Sequence, residues 1–319
     1  MVLSLKIGID VGGTNLRIGV VRGLEIIDKK SFRADFSSIF SENSADIACN
    51  TIVEILCEGL SDILKRHEGI SSIGIGFPGF IDPQSRSILS SPNLPGLNNF
   101  DLAKTLHEKI HLPVQIENDA LAATYGEYLL NNISSSNGLI YIGLGTGVGG
   151  GLVLKGQAIA GEHGFAMEIG HIIIHPNGRI CGCGNRGCLE QYASATGICK
   201  SYSELEERHI SADEIAKQAK LGDLSAQQAY VIAARSLAQA IAHILKIIDV
   251  ERVIIGGGVT KSWDLMQLDF NEQLNLDLIK VLRGKVQIDI SNSQDQAGII
   301  GASFIGFISC EKVSQLIRP

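Results

Sequence analysis

The sequence has no surplus of positive charge. Lys and Arg number 27 against 34 Asp and Glu, a formal charge of −7. No cationic field is present to hold a polyphosphate backbone, so nucleic acid is a poor partner. Apolar runs of membrane-spanning character are also missing. The uncharged stretch Gly138–Leu154 is 17 residues long but holds seven glycines, and Ala297–Cys310 has only 14 residues, so no membrane association is expected. The opening MVLSLKIGIDVGG carries Lys6 as its one positive charge and runs straight into a glycine turn, so no secretory leader is expected and the cytoplasm is the expected location. The seven cysteines are odd in number, and three of them (Cys181, Cys183 and Cys188) fall within eight residues, closer than a disulfide framework of a large domain needs and suggestive of a reducing compartment and a metal.

What is present is a chain of 319 residues, 45% hydrophobic and 19% charged. That composition folds throughout, as two domains or one large one, and no low-complexity linker interrupts it. Glycine is abundant, 36 residues, and clustered rather than periodic.

Leu5–Val11 and Leu16–Val21 are short β-branched runs around GGTN, the pattern of a β-hairpin. Residues 44–67 place Ile47, Ile52, Ile55, Leu56, Leu60, Ile63 and Leu64 at helical spacing, which predicts an amphipathic helix. A strand over Ile70–Phe77 ends at Pro78-Gly79, and Asp82–Asn99, rich in Pro and Asn, reads as irregular. A helix over about 101–111, a strand over Val114–Ile116 and a helix from Asp119 follow, and this alternation implies a mostly parallel sheet covered by helices. Leu139–Leu144 and Gly150–Leu154 form a second glycine-linked strand pair that echoes the opening hairpin, which suggests two related halves. After the cysteine cluster the chain reads as helical to about Ile248, with a strand at Arg252–Ile255, a last strand near Val286 and a small-residue helix from Ala297.

Three glycine clusters each follow a strand: Gly12-Gly13-Thr14, Gly143–Gly151 and Gly256–Gly258. Backbone amides converging at glycine turns bind phosphate without cationic side chains, so three such loops can surround a nucleotide, whereas any one alone is as readily a tight turn. The P-loop pattern with its lysine is missing. Gly145, Gly147 and Gly150 match the dinucleotide fingerprint, but the residues after them read as strand rather than helix.

Glu117-Asn118-Asp119 sits where a strand gives way to a helix. Asn118 or Asp119 can cap that helix, and Asp119 is the candidate general base for a hydroxyl. His171, Cys181, Cys183 and Cys188 lie in HIIIHPNGRICGCGNRGC and supply one nitrogen and three sulfurs, a closed structural zinc set, with His175 the competing nitrogen.

Taken together, IGIDVGGTNLRIGVV, GFPGFID, PNLPGL, IENDALAA, IGLGTGVGGG, MEIGH, CGCGNRGCLE, IIGGGV and QAGIIGA resemble, in order, the motifs of the ROK family of sugar kinases, within the actin-like and hexokinase-like ATPases. The resemblance covers nearly the whole chain. It implies two actin-like, ribonuclease H-like α/β domains with mixed sheets flanked by helices and an interdomain cleft. The domains expected are residues 1–118 plus 297–319, and 119–296 with the zinc site. It implies ATP-dependent phosphorylation of a hexose, glucose to glucose 6-phosphate first, with N-acetylmannosamine, N-acetylglucosamine, allose and fructose as alternatives. Asp119 is then the base. Gly79, Asn93, Asn118, Glu168, His171 and Glu190 hold the sugar, while Asp10, Gly12, Gly13, Thr14, Gly145, Thr146, Gly147, Gly256 and Gly257 lie around ATP and Mg2+. His171 serves sugar and zinc together.

A homodimer is expected from the family, although no surface motif indicates it. Leu97, Leu121 and Met167 depart from the family pattern and bear on which sugar is taken. Two other classes are disfavoured. A sugar-responsive repressor of this family needs a helix-turn-helix segment before the first strand, which starts near Leu5. A glycoside hydrolase built on Glu117 and Asp119 leaves three phosphate-type loops without a role.

Overall fold

The computed structural model describes residues 4–12, 15–92, 94–134, 137–293 and 295–305. The chain divides into two compact units. The first takes in residues up to Gly138, Gly151–Ala166 and those from Ser293 on; the second takes in Leu139–Gly150 and Met167–Asn292.

The first unit begins with β1 (Leu5–Val11), β2 (Asn15–Arg22) and β3 (Glu25–Arg33), then α1 (Phe36–Glu42), α2 (Ala45–Arg66) and β4 (Ile70–Phe77). Three short strands follow, β5 (Phe80–Ile81), β6 (Ile88–Ser90) and β7 (Asn98–Phe100), then α3 (Leu102–Ile110), β8 (Val114–Asn118) and α4 (Asp119–Leu130). The main sheet has the order β3-β2-β1-β4-β8, with β1–β2–β3 antiparallel and β1–β4–β8 parallel. Its register aligns Ile18, Ile9, Ile75 and Ile116 in one row across four strands, each at most 1% exposed. A β-branched row of this kind fits a pleated, covered surface. Ile52, Leu56 and Leu60, one stripe of α2, belong to the same core. The expected irregular stretch Asp82–Asn99 is instead partly ordered as a small antiparallel sheet, β5-β6-β7.

The second five-stranded sheet involves β9 (Gly138–Leu144), β10 (Val148–Leu154), β11 (Gln157–Ala158), β12 (Arg252–Gly256) and β13 (Gln287–Ile290), in the order β11-β10-β9-β12-β13. Both sheets therefore run third, second, first, fourth, fifth, so the echo between the two glycine-linked strand pairs extends to whole sheets.

The helices of the second unit are α5 (Glu190–Ala193), α6 (Ala195–Glu206), α7 (Ala212–Lys220), α8 (Leu224–Ile247) and α9 (Gln267–Asp277). Side-chain caps start three of them: Ser194, Ser211 and Asp223 accept from Gly197, Glu214 and Ala226. α8 is long and apolar enough to cross a membrane by length and composition, but 61% of that stretch is buried inside the protein, against α6, α7 and α9.

α10 (Gln296–Phe304) closes the first unit. The division differs from the expected boundary at 118/119, because α4 belongs with the first unit. The reason is packing: Gly126 of α4 lies on the backbone of Ala297, and Gly301 of α10 on the backbone of Ala122. Without side chains at these two points the helices come into backbone contact.

Candidate active site

In the first unit, β8 ends at Asn118, and the question of which residue caps α4 is resolved. Asn118 Oδ1 accepts from the Leu121 amide at 3.0 Å, and its Nδ2 donates to the Gly79 carbonyl at 3.1 Å. Asn118 thus fixes both the helix start and the Pro78-Gly79 loop, and each end of its amide keeps one further hydrogen-bonding position. Asp119 is the first residue of α4, half-buried, with Oδ1 accepting from the Ala120 amide at 2.8 Å. Gly79 is closely backed, since a Cβ there would stand 2.8 Å from the Ser90 carbonyl oxygen. Of the departures from the family pattern, Leu97 and Leu121 are buried side chains at 1% and 5% exposure. Met167 is half-buried, in the left-handed region at φ +64°.

The first glycine turn closes with the Gly12 amide donating to Asn15 at 2.9 Å. Asp10 pairs with Arg17 at 2.9 Å, and Arg17 reaches Asp295 at 3.2 Å. Burial pushes the Asp10 carboxyl up, with Arg17 opposing. Sequence reasoning passed over Arg17, although in a hairpin of this register it stands directly across from Asp10. Gly13, Thr14 and Asn93 lie outside the described residues.

In the second unit the other two glycine loops adjoin, because Gly256 pairs with Gly143 across β12 and β9. Gly145 donates to the Gly147 carbonyl at 2.9 Å, and α6 holds the turn: Ala195 N donates to the Gly145 carbonyl and Thr196 Oγ1 to the Thr146 carbonyl, both at 2.9 Å. Gly257 has φ +91°, and a Cβ there would overlap the Leu144 carbonyl oxygen. Only glycine fits that corner. Glu190 Oε2 accepts from the Val148 amide at 3.1 Å and occupies the space a Cβ on Gly147 would need, so this carboxylate is bound to the loop itself. Glu168 stands 3.8 Å from His171 Nε2. Burial pushes its carboxyl up, with His171 opposing and Glu190 adding. Glu168, His171, Glu190 and Gly147 are therefore one neighbourhood.

His171, Cys181, Cys183 and Cys188 offer one donor atom each, all within 4.8 Å of one another. His171 Nδ1 is 3.6 Å from Cys181 Sγ, and Cys183 Sγ is 3.6 Å from Cys188 Sγ. With Nδ1 toward the thiols and Nε2 toward Glu168, the imidazole presents one nitrogen to each. Burial and the neighbouring Cys183 and Cys181 push the Cys188 thiol up to about 12, a tendency a bound divalent cation reverses by holding thiolates. His175 stands outside this grouping: its Nε2 lies 3.0 Å from Ser236 Oγ and its ring packs edge-on to Tyr192. Three sulfurs and one nitrogen in this grouping are a set that can hold a tetrahedral ion such as zinc.

Relatives match the chain over most of its length. A glucokinase of Thermotoga maritima is 33% identical over 313 residues, covering 94% of this chain and 96% of the relative. An N-acetylmannosamine kinase of Haemophilus influenzae is 30% identical over 299 residues, covering 93% and 94%. The crystal structure of a ROK family glucokinase from Streptomyces griseus, in complex with glucose and AMPPNP, superposes with a TM-score of 0.78 at 28% identity, covering 94% and 98%. The chain has the mixed α/β, actin-like ATPase fold of these proteins. The ROK family model matches residues 6–306, and with full-length relatives at this identity the chain belongs to the ROK family.

Proposed function

We propose that the chain transfers the γ-phosphoryl group of ATP to the C6 hydroxyl of a hexose, glucose first, with Asp119 as general base. That it is an ATP-dependent sugar kinase follows from its family and from full-length glucokinase relatives. The observation that carries the finer reading is the β8–α4 junction. Asn118 caps the helix there, and Asp119 stands half-buried as the first residue of α4, where a strand gives way to a helix.

In the reaction, Asp119 takes the proton as the sugar oxygen bonds to phosphorus, the bond to the ADP oxygen breaks, and ADP leaves. Little covalent chemistry falls to the protein, so positioning and charge neutralisation dominate. Glu168, His171 and Glu190 are suited to the remaining hydroxyls, since they form one cluster with the Gly147 turn. Gly79, Asn93 and the outer positions of the Asn118 amide complete the sugar side.

The phosphates belong with amides of Gly145, Thr146, Gly147, Gly256 and Gly257, and with Gly12, Gly13 and Thr14. Asp10 is the carboxylate that would hold Mg2+, which when bound neutralises phosphate charge. His171, Cys181, Cys183 and Cys188 would hold zinc in a structural role and so brace His171. A cytoplasmic homodimer is part of the same reading.

ADP release with MgATP, followed across glucose, N-acetylmannosamine, N-acetylglucosamine, allose and fructose, tests it. Glucose is expected to give the highest kcat/KM. A higher value for another sugar replaces glucose, and no sugar-dependent ADP at all removes the kinase reading.

A further inference from the structure

The β8–α4 junction holds an acidic side chain that the proposed reaction does not use. Glu117 is 5% exposed, and both its oxygens are engaged. The Asn118 amide donates to Oε1 at 3.0 Å and Arg86 Nη1 donates to Oε2 at 2.5 Å. A carboxylate this deeply buried ionises at a penalty unless paired. Burial does push Glu117 up, with the Asn118 amide and Arg86 opposing. Among the described residues Arg86 is its only ion-pair partner. From β4, Gly76 stands opposite and brings no charge, and Asp119 is the nearest ionisable group along its own chain.

Arg86 is itself held in place. It sits in the turn between β5 and β6 at φ +58°, a left-handed conformation that persists in a non-glycine residue where the surroundings hold it. Asp82 does the holding. Its Oδ1 accepts from the Gln84 and Ser85 amides at 2.8 and 2.6 Å, and its carbonyl accepts from the Arg86 amide at 2.9 Å. Together with the Asn118–Gly79 bond, the Arg86–Glu117 pair ties the two turns flanking β5 to the segment that carries Asp119.

We infer that Arg86 is a positioning residue for the general base: by pairing with buried Glu117 it holds that side chain and the Glu117-Asn118 peptide in place and so sets Asp119 at the head of α4. The inference rests on the kinase reading.

The test uses the full chain with Arg86→Ala, Arg86→Lys, Glu117→Gln and the double variant Arg86→Ala/Glu117→Gln. The readouts are kcat, KM for hexose and ATP from about pH 5 to 9, and thermal melting. Arg86→Ala is expected to lower kcat about ten- to hundredfold near neutral pH, with both KM values little changed. The acid limb of kcat moves to higher pH, because Glu117 has lost the partner that lowers it. Arg86→Lys restores most of the rate. Glu117→Gln mimics the protonated carboxyl permanently, lowers kcat to a similar level, and abolishes any further movement of the acid limb when Arg86→Ala is added. A lower melting temperature with kcat and its acid limb unmoved would overturn the inference, as would a rise in hexose KM alone, which marks a substrate contact. If wild type is active and Arg86→Ala is unaffected, only the positioning role falls. If wild type releases no ADP with any sugar, the kinase reading falls and takes this role with it.

Discussion

Replacing Gly126 by Ala would press on the helix that begins with Asp119. A Cβ at this position overlaps the carbonyl oxygen of Ala297 and stands 2.6 Å from its carbonyl carbon. Carbon contacts settle near about 3.5–4.0 Å, so α10 must withdraw from α4 by roughly 1 Å. Neither partner can rotate away, because the obstacle is backbone, and the flanking Ala122, Tyr125, Leu129 and Ile300 are buried. Overpacking of this kind costs about 1–3 kcal/mol, and a backbone clash belongs at the upper end, about 3 kcal/mol. At about 2–4 °C per kcal/mol, the melting temperature falls by about 6–12 °C. The share of that displacement passed along α4 to Asp119 also lowers kcat, by up to about a hundredfold. Thermal melting by circular dichroism and steady-state ADP release measure the two effects. Gly182→Ala is the control, since nothing lies within 4 Å of a Cβ there, and it should change stability by no more than about 0.5 kcal/mol. If Gly126→Ala melts within about 2 °C of wild type and keeps its kcat, the close approach of α10 to α4 is wrong.

Asp119→Asn should lower kcat by about two to four orders of magnitude while hexose still binds in calorimetry; full turnover would take the base role from Asp119. Elemental analysis should find about one zinc per chain, with Cys183→Ser lowering metal content, melting temperature and sugar affinity. His175→Ala should keep the metal, and metal lost from that variant alone would return His175 to the ligand set. Asp28 of β3 accepts from Arg66 at 2.7 Å and lies 2.8 Å from His67, and hydrogen bonds from Arg66 and then His67 hold its carboxyl below the usual range. The stability it supplies is present above the ordinary carboxylate value and is lost as pH falls through the lowered folded value. Asp28→Asn should therefore melt below wild type at neutral pH, with the gap closing in strong acid; an equal gap at both ends contradicts the pairing.

The elements most legible in the sequence were those whose periodicity matches their burial. The stripe Ile52, Leu56, Leu60 and Ile63 of α2 is fully covered, and the runs of β1, β2 and β4 are buried β-branched strands. β3 was not legible, since an edge strand of alternating exposure reading EIIDKKSFR carries too many charges to look like sheet. β5, β6 and β7, two or three residues each, exist through pairing with one another rather than through local preference. At the site, the Asn118-Asp119 junction, the glycine corners and the three cysteines could be named from residue type and spacing. The choice of His171 over His175 depended on how the loop folds back, and the Glu190 contact with Val148 spans 42 residues. Arg86 carried no local signal, because it sits in a turn and its partner lies 31 residues away on β8.

The most direct measurement is ³¹P NMR of the products formed from MgATP and glucose by the purified chain. The account predicts equal build-up of ADP and glucose 6-phosphate, strongly reduced with Asp119→Asn. Phosphate released to water, or ATP consumed with no sugar-phosphate resonance appearing, would contradict it.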